Sequence, residues 1–158
     1  MKIRNFVRIL AVLFLAVIIV SACKKDEGFT QVTEFEGKIQ SALNDYRASK
    51  GKSDLVQTFL LIDDAQAYST KMAKELVGVN TDELETELQT LKVLIGADSV
   101  AAWVATCEYE EADSILNIVK NNPEINSLVL GDFNLSAVGA VKSNIGIFYI
   151  TNIVARKR

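Results

Sequence analysis

Histidine is absent from all 158 residues of this sequence, and its absence removes whole classes of chemistry. Serine triads with an imidazole base, Cys–His dyads and histidine-ligated zinc are excluded. Serines such as Ser69 and Ser127 have no candidate base to activate them. The reactive groups that remain are 20 carboxylates and two thiols, Cys23 and Cys107. Two carboxylates divide acid and base roles when their surroundings split their pKa values. A thiol can be modified when exposed, or can pack as a small inert hydrophobe when buried.

Cys23 stands where an apolar run ends, in "IIVSACKKDEG". Lys2, Arg4 and Arg8 give a positive start, and Ile9 to Val20 is an unbroken apolar run of 12 residues. A spanning helix needs roughly 20 apolar residues, so this run suits the core of a signal peptide over residues 1–22. "VSAC" resembles the lipobox of bacterial lipoproteins, whose cysteine thiol takes a diacylglycerol and becomes the new N-terminus after cleavage. An ordinary secretory signal ending near Ala22 is the alternative. One acyl chain holds a protein only marginally, so the resemblance implies two or three chains on Cys23 and a firm membrane anchor. Lys25, Asp26 and Glu27 resemble the signal that sends some Gram-negative lipoproteins to the cell surface; a solvated spacer is the other reading. The expected location is the bacterial envelope, lipid-anchored, at the outer membrane or its surface.

Cleavage before Cys23 would leave one domain's length of chain, with 14 basic against 20 acidic residues. That balance argues against nucleic acid as a partner, and Arg156–Lys157–Arg158 is too short to reverse it. With Cys23 acylated, Cys107 has no intramolecular disulfide partner. Its place at the end of an apolar run predicts a buried, inert thiol.

Helices and strands must position these groups. After a polar tether over 23–32, Thr33 and Glu36 have capping-box spacing, and Phe35, Ile39, Ala42, Leu43 and Tyr46 form a helical stripe ending at Gly51. A second stripe runs Leu61, Ala65, Tyr68, Met72 and Leu76 before Gly78. A third, announced by Asn80–Thr81, carries Leu84, Leu88, Leu91 and Ile95 and stops at Gly96. Val100 to Thr106, with Trp103, predicts a strand. Glu110 to Asn121 returns to helical spacing through Ala112, Ile115, Leu116 and Val119, and Pro123 breaks it, with Glu124 in the first turn of a short helix. Phe133 to Val141 and Ile147 to Val154 predict a hairpin around Ser143–Asn144–Ile145–Gly146, with a turn longer than two residues. Helices lead and strands close the chain, which is an α+β pattern over one domain, 33–158.

"ALNDYRASKGKSDL", with Asn44 and Arg47, then "LIDDAQAYSTKMAKE", "NNPEI", "DFNLSAVGAV" and "GIFYITNIVARK" follow in the order of the CAP superfamily's bacterial branch. These are the cysteine-rich secretory, antigen 5 and pathogenesis-related proteins, and the resemblance spans Phe35 to Lys157. It implies a CAP-like α-β-α sandwich with N-terminal helices and C-terminal antiparallel strands. Many members set two histidines and two acids around a cleft, sometimes with a divalent metal. Here the histidine positions fall near Val79 or on Asn80, and on Ile125. The acids correspond to Asp98, followed by Ser99, and to Glu110 or Glu111, while Tyr149 lines the cleft. The bland readings are that Asp98 caps a turn, that Glu110 and Glu111 open a helix at its favourable end, and that Tyr149 is packing. Carboxylates without imidazoles do not make the family's zinc site, and no dense loop of Asp, Asn and Gly supports calcium; no metal or cofactor is implied. The expected role is a non-catalytic binding or interaction module held to the membrane by its N-terminal lipid. Its other partner would be a protein, a peptide or a small apolar ligand. The alternatives are an envelope hydrolase using carboxylates alone, or a carrier of a small apolar ligand with Ile125 on the cleft floor.

Overall fold

The computed structural model describes residues 31–158, so Cys23 and the signal segment lie outside the described residues. Helix α1 (Glu34–Ser49) begins at the expected capping box. Glu36 N–H donates to Thr33 Oγ1 and Thr33 N–H donates back to Glu36 Oε2, at 3.2 and 2.8 Å. Strand β1 (Val56–Gln57) and helix α2 (Phe59–Ala73) follow. A 3₁₀ turn (Asp82–Leu84) leads into α3 (Glu85–Ile95), β2 (Ser99–Cys107) and α4 (Ala112–Asn121). The chain closes with α5 (Pro123–Val129), β3 (Leu135–Lys142) and β4 (Phe148–Arg156).

Three helices end alike. After α1, α2 and α3, the second residue beyond the helix or its cap folds back on the last turn. Lys52 N–H donates to Arg47 O, Leu76 N–H to Lys71 O and Ala97 N–H to Lys92 O. This paired Schellman arrangement needs one left-handed residue, normally glycine. Gly51 and Gly96 supply it at φ 71° and 64°, but in α2 the residue is Glu75, at φ 57°. The predicted second stripe is therefore too long: α2 stops at Ala73, and Leu76 is exposed. Pro123 does break α4, but it also opens α5 at a position where a missing N–H costs nothing. Asn122 caps that helix by accepting from Glu124 N–H and Ile125 N–H.

The sheet order is β1-β3-β4-β2, antiparallel except for the β1–β3 pair. Period-two alternation sorts side chains onto its faces. Trp103, Ala105, Cys107, Val138, Phe148 and Ile150 join Phe35, Ile39, Leu43, Ile115, Val119 and Val129 in one core beneath α1, α4 and α5. Ala137, Ile153 and Ala155 join Leu61, Ala65, Tyr68, Met72, Leu88 and Leu91 in a second core beneath α2 and α3. The result is the expected α-β-α sandwich, with one addition: the two-residue parallel strand β1. At Gly139 the α2 backbone lies against β3, because an added Cβ would stand 2.3 Å from the carbonyl carbon of Ala65.

Candidate functional site

The residues that best fit the family pattern hold the frame. Asn44 pairs with the Leu55 backbone, donating to its carbonyl and accepting from its N–H. Arg47 is 2% exposed and donates to four carbonyls, those of Ser53, Val129, Gly131 and Phe133. Burial lowers its pKa, while Asp54 and Asp132 oppose that shift. The guanidinium thereby ties the loops before β1 and β3 to the end of α1. Glu36 does the same at the other end of α1, accepting from Gln66 Nε2 and from the backbone N–H of Ala140.

The predicted cleft residues are not gathered at one place. Asp98 precedes β2, where its N–H donates to Arg156 O and its carboxylate meets Arg158 Nε at 3.0 Å. Ser99 is the exposed first residue of that strand. Glu110 and Glu111 follow the far end of β2. The nine-residue strand spans about 27 Å at roughly 3.4 Å per residue, whereas paired carboxylates of glycosidases stand about 5–9.5 Å apart. Asp98 therefore forms no acid–base pair with either glutamate.

Asn80 and Ile125 are also separated, one on each side of the sheet. Asn80 is exposed, and its carbonyl accepts from Tyr68 Oη, which belongs to the core under α2 and α3. Ile125 is packed into the opposite core, so it is no cleft floor. These two positions cannot share a metal, and among the described residues no group of three Cys, Asp or Glu is arranged to hold one.

Two surface cavities do collect some of the candidates, both at the hairpin end of the sheet. One, of about 390 Å³, lies between α1 and the start of α4 and is lined by Lys38, Asp45, Glu110, Glu111 and Asp113. Glu111 occupies the N-cap of α4 without a side-chain capping bond. The other, of about 310 Å³, lies between the end of α2 and the β3–β4 turn. Tyr149 lines it beside Lys74, Glu75, Ser143, Asn144 and Ile145. The sequence marked Ser143 and Asn144 only as turn residues. Glu75 carried no sequence signal, because an exposed glutamate near a helix end is ordinary until its backbone is seen to be left-handed. Cys107, at the end of β2, is buried, and burial pushes its thiol pKa up. Its Sγ donates to Tyr109 O.

The sandwich, the capped α1 and the β3–β4 hairpin define a CAP-like fold, also called an SCP fold. Three solved structures share it at low identity. An outer surface protein of Borrelia burgdorferi matches at TM-score 0.69 and 14% identity, over 82% of this chain and 97% of that one. An extracellular SCP-domain protein of Bacillus anthracis matches at 0.64 and 18%, over 81% of this chain and 45% of that one. A cysteine-rich secretory protein of Staphylococcus aureus matches at 0.63 and 17%, over 78% of this chain and 38% of that one. This chain thus spans less than half of the latter two. No family model and no curated protein matches the sequence.

Proposed function

We propose that this chain is a lipid-anchored, surface-exposed CAP-like domain that works as a non-catalytic binding module. One observation carries the binding half: histidine is absent, and Asp98 stands at the opposite end of β2 from Glu110 and Glu111, the carboxylates it would have to pair with. The envelope location is supported by the signal-like N-terminus and by neighbours described as outer-surface or extracellular proteins. Among the described residues no helix is long and apolar enough to cross a membrane; the lipobox-like "VSAC" is what supports attachment through Cys23. The chain enters the fold on the hairpin side, where the Phe35 ring stands edge-on to Phe148 at 5.0 Å. Eight residue steps separate Cys23 from Gln31, an extended reach of about 28 Å.

Mass spectrometry of the mature N-terminus tests the anchor: acylated Cys23 is expected, with Cys23→Ala blocking both processing and membrane fractionation. An unmodified N-terminus would overturn it. Turnover of envelope peptides or glycans by the purified chain, lost on Glu110→Gln with Glu111→Gln, would overturn the binding reading.

A further inference from the structure

We infer that the corner where β1 runs into α2 is a lipid-contact surface, on which Val56, Phe59 and Leu60 seat in the membrane that carries the Cys23 anchor. This rests on the reading of Cys23 as a lipid anchor and names the part of the domain that the membrane meets.

The first observation is exposure. Val56, Phe59 and Leu60 are 63%, 72% and 59% exposed, three large apolar side chains within a stretch of five residues. They also share one side of the sheet. Val56 pairs with Leu135, which packs against the core beneath α2, and residues paired across a ladder point to the same face. Phe59 and Leu60 open α2 itself, just beyond its N-cap Thr58, while Leu61, Ile62 and Ala65 take the inward side of that helix. A lone exposed apolar residue needs no explanation, but a cluster of them marks an interaction surface.

The second observation is independent, and it names the occupant. Gln31, where the chain joins the described fold, lies on the same helix: its carbonyl accepts from Gln66 Nε2 at 3.2 Å, and Val32 packs against the core beneath α2. Gln66 follows Phe59 by seven residues, almost two full turns, so both stand on one side of α2 about 10 Å apart along its axis. The extended reach from Gln31 back to Cys23, about 28 Å, exceeds that separation. A lipid on Cys23 therefore brings a bilayer within reach of the corner. The charges beside it are mixed: Lys52 and Asp54 precede Val56, and Asp63 lies one turn beyond Phe59 and Leu60. That balance fits insertion of apolar side chains better than attraction to anionic head groups. The lipid supplies attachment, and the corner supplies orientation.

Tryptophan placed at the corner tests this in the mature protein, reconstituted into vesicles of zwitterionic phospholipid brominated near the top of the acyl chains. Native Trp103 is 2% exposed and gives a constant background. Phe59→Trp should lose about twofold or more of its emission against unbrominated vesicles, because interfacial apolar side chains sit about 5–10 Å deep. Tyr109→Trp and Ile145→Trp, at exposed positions at the hairpin end of the sheet, should keep theirs. Val56→Trp should be quenched as well, and should lose that quenching when Phe59→Ser and Leu60→Ser are added, with circular dichroism showing the fold intact. No quenching of Phe59→Trp, or equal quenching at all positions, would overturn the inference. Mass spectrometry separates the two readings. An unacylated N-terminus strikes the anchor and this inference with it, whereas an acylated protein with unquenched Phe59→Trp strikes the inference alone.

Discussion

At the scale of single residues, buried charge and backbone strain decide more than the reactive groups do. Arg47 exchanges hydration for four carbonyls, so its removal strands several acceptors. Arg47→Ala should cost about 3 kcal/mol in denaturant unfolding, within the range for a broken buried network. Arg47→Lys should recover little, because one ammonium cannot span that fan of acceptors. Glu75→Gly should act in the other direction. Relief of the left-handed strain should add about 1 kcal/mol, read as a melting temperature about 3 °C higher. Asp64 gives a pH-dependent case. Burial, then the charges of Glu87 and Asp63, raise its pKa above 3.8. The native state therefore holds this proton more tightly than the unfolded chain, and ionised Asp64 disfavours folding at neutral pH. Asp64→Asn should be more stable than the parent at pH 7. That advantage should fade as the pH falls through the raised pKa and vanish below about 3.8. An advantage that grew on acidification would contradict the assignment.

At the scale of elements, the sandwich depends on how closely α2 approaches the sheet. Ser69 Oγ donates to Gly139 O and stands 2.9 Å from Thr151 Oγ1, joining helix, β3 and β4 where no Cβ intervenes. Gly139→Ala would drive its methyl into the Ala65 backbone, and neither rigid element can yield cheaply. A loss of about 3 kcal/mol or more is expected, the upper range for overpacking. Gly37→Ala is the control. Gly37 lies inside α1 with nothing within 4 Å of the added Cβ, so alanine should add up to about 1 kcal/mol through helix propensity. Equal effects at the two positions would mean that α2 does not press on β3.

For the whole molecule, the sheet is a partition. Except around the β3 edge, where Glu36 of α1 accepts from Gln66 of α2, helices on its two sides cannot pool their polar side chains, and residues at opposite ends of β2 cannot meet. The melting temperature should therefore be unchanged by zinc or by chelator. A site filled at a hundredfold over its Kd would add about 2.7 kcal/mol, an effect easily seen. Asn80→His with Ile125→His should likewise create no zinc site, because the two positions lie in different layers.

The sequence by itself determined the elements that local chemistry specifies. The capping box at Thr33 and Glu36, the stripes through Ile39, Ala65 and Leu91, the glycine stops at Gly51 and Gly96 and the long hairpin turn are all set by residues a few positions apart. Their order was enough for the sandwich, since an apolar stripe or face must be buried against another element. The end of α2 was misread because its stop is a glutamate performing a glycine's task. Strand β1 escaped notice because two residues carry no periodicity; its pairing to β3 is a tertiary fact. Only the tertiary structure could place the candidate site, because spacing along a chain says nothing about which face of a sheet or which end of a strand a side chain reaches. It set Asp98 against Arg158, Ile125 into a core and Glu110 into an open groove. It also brought Tyr149 to Glu75 across 74 positions of sequence, through the packing of α2 on the hairpin.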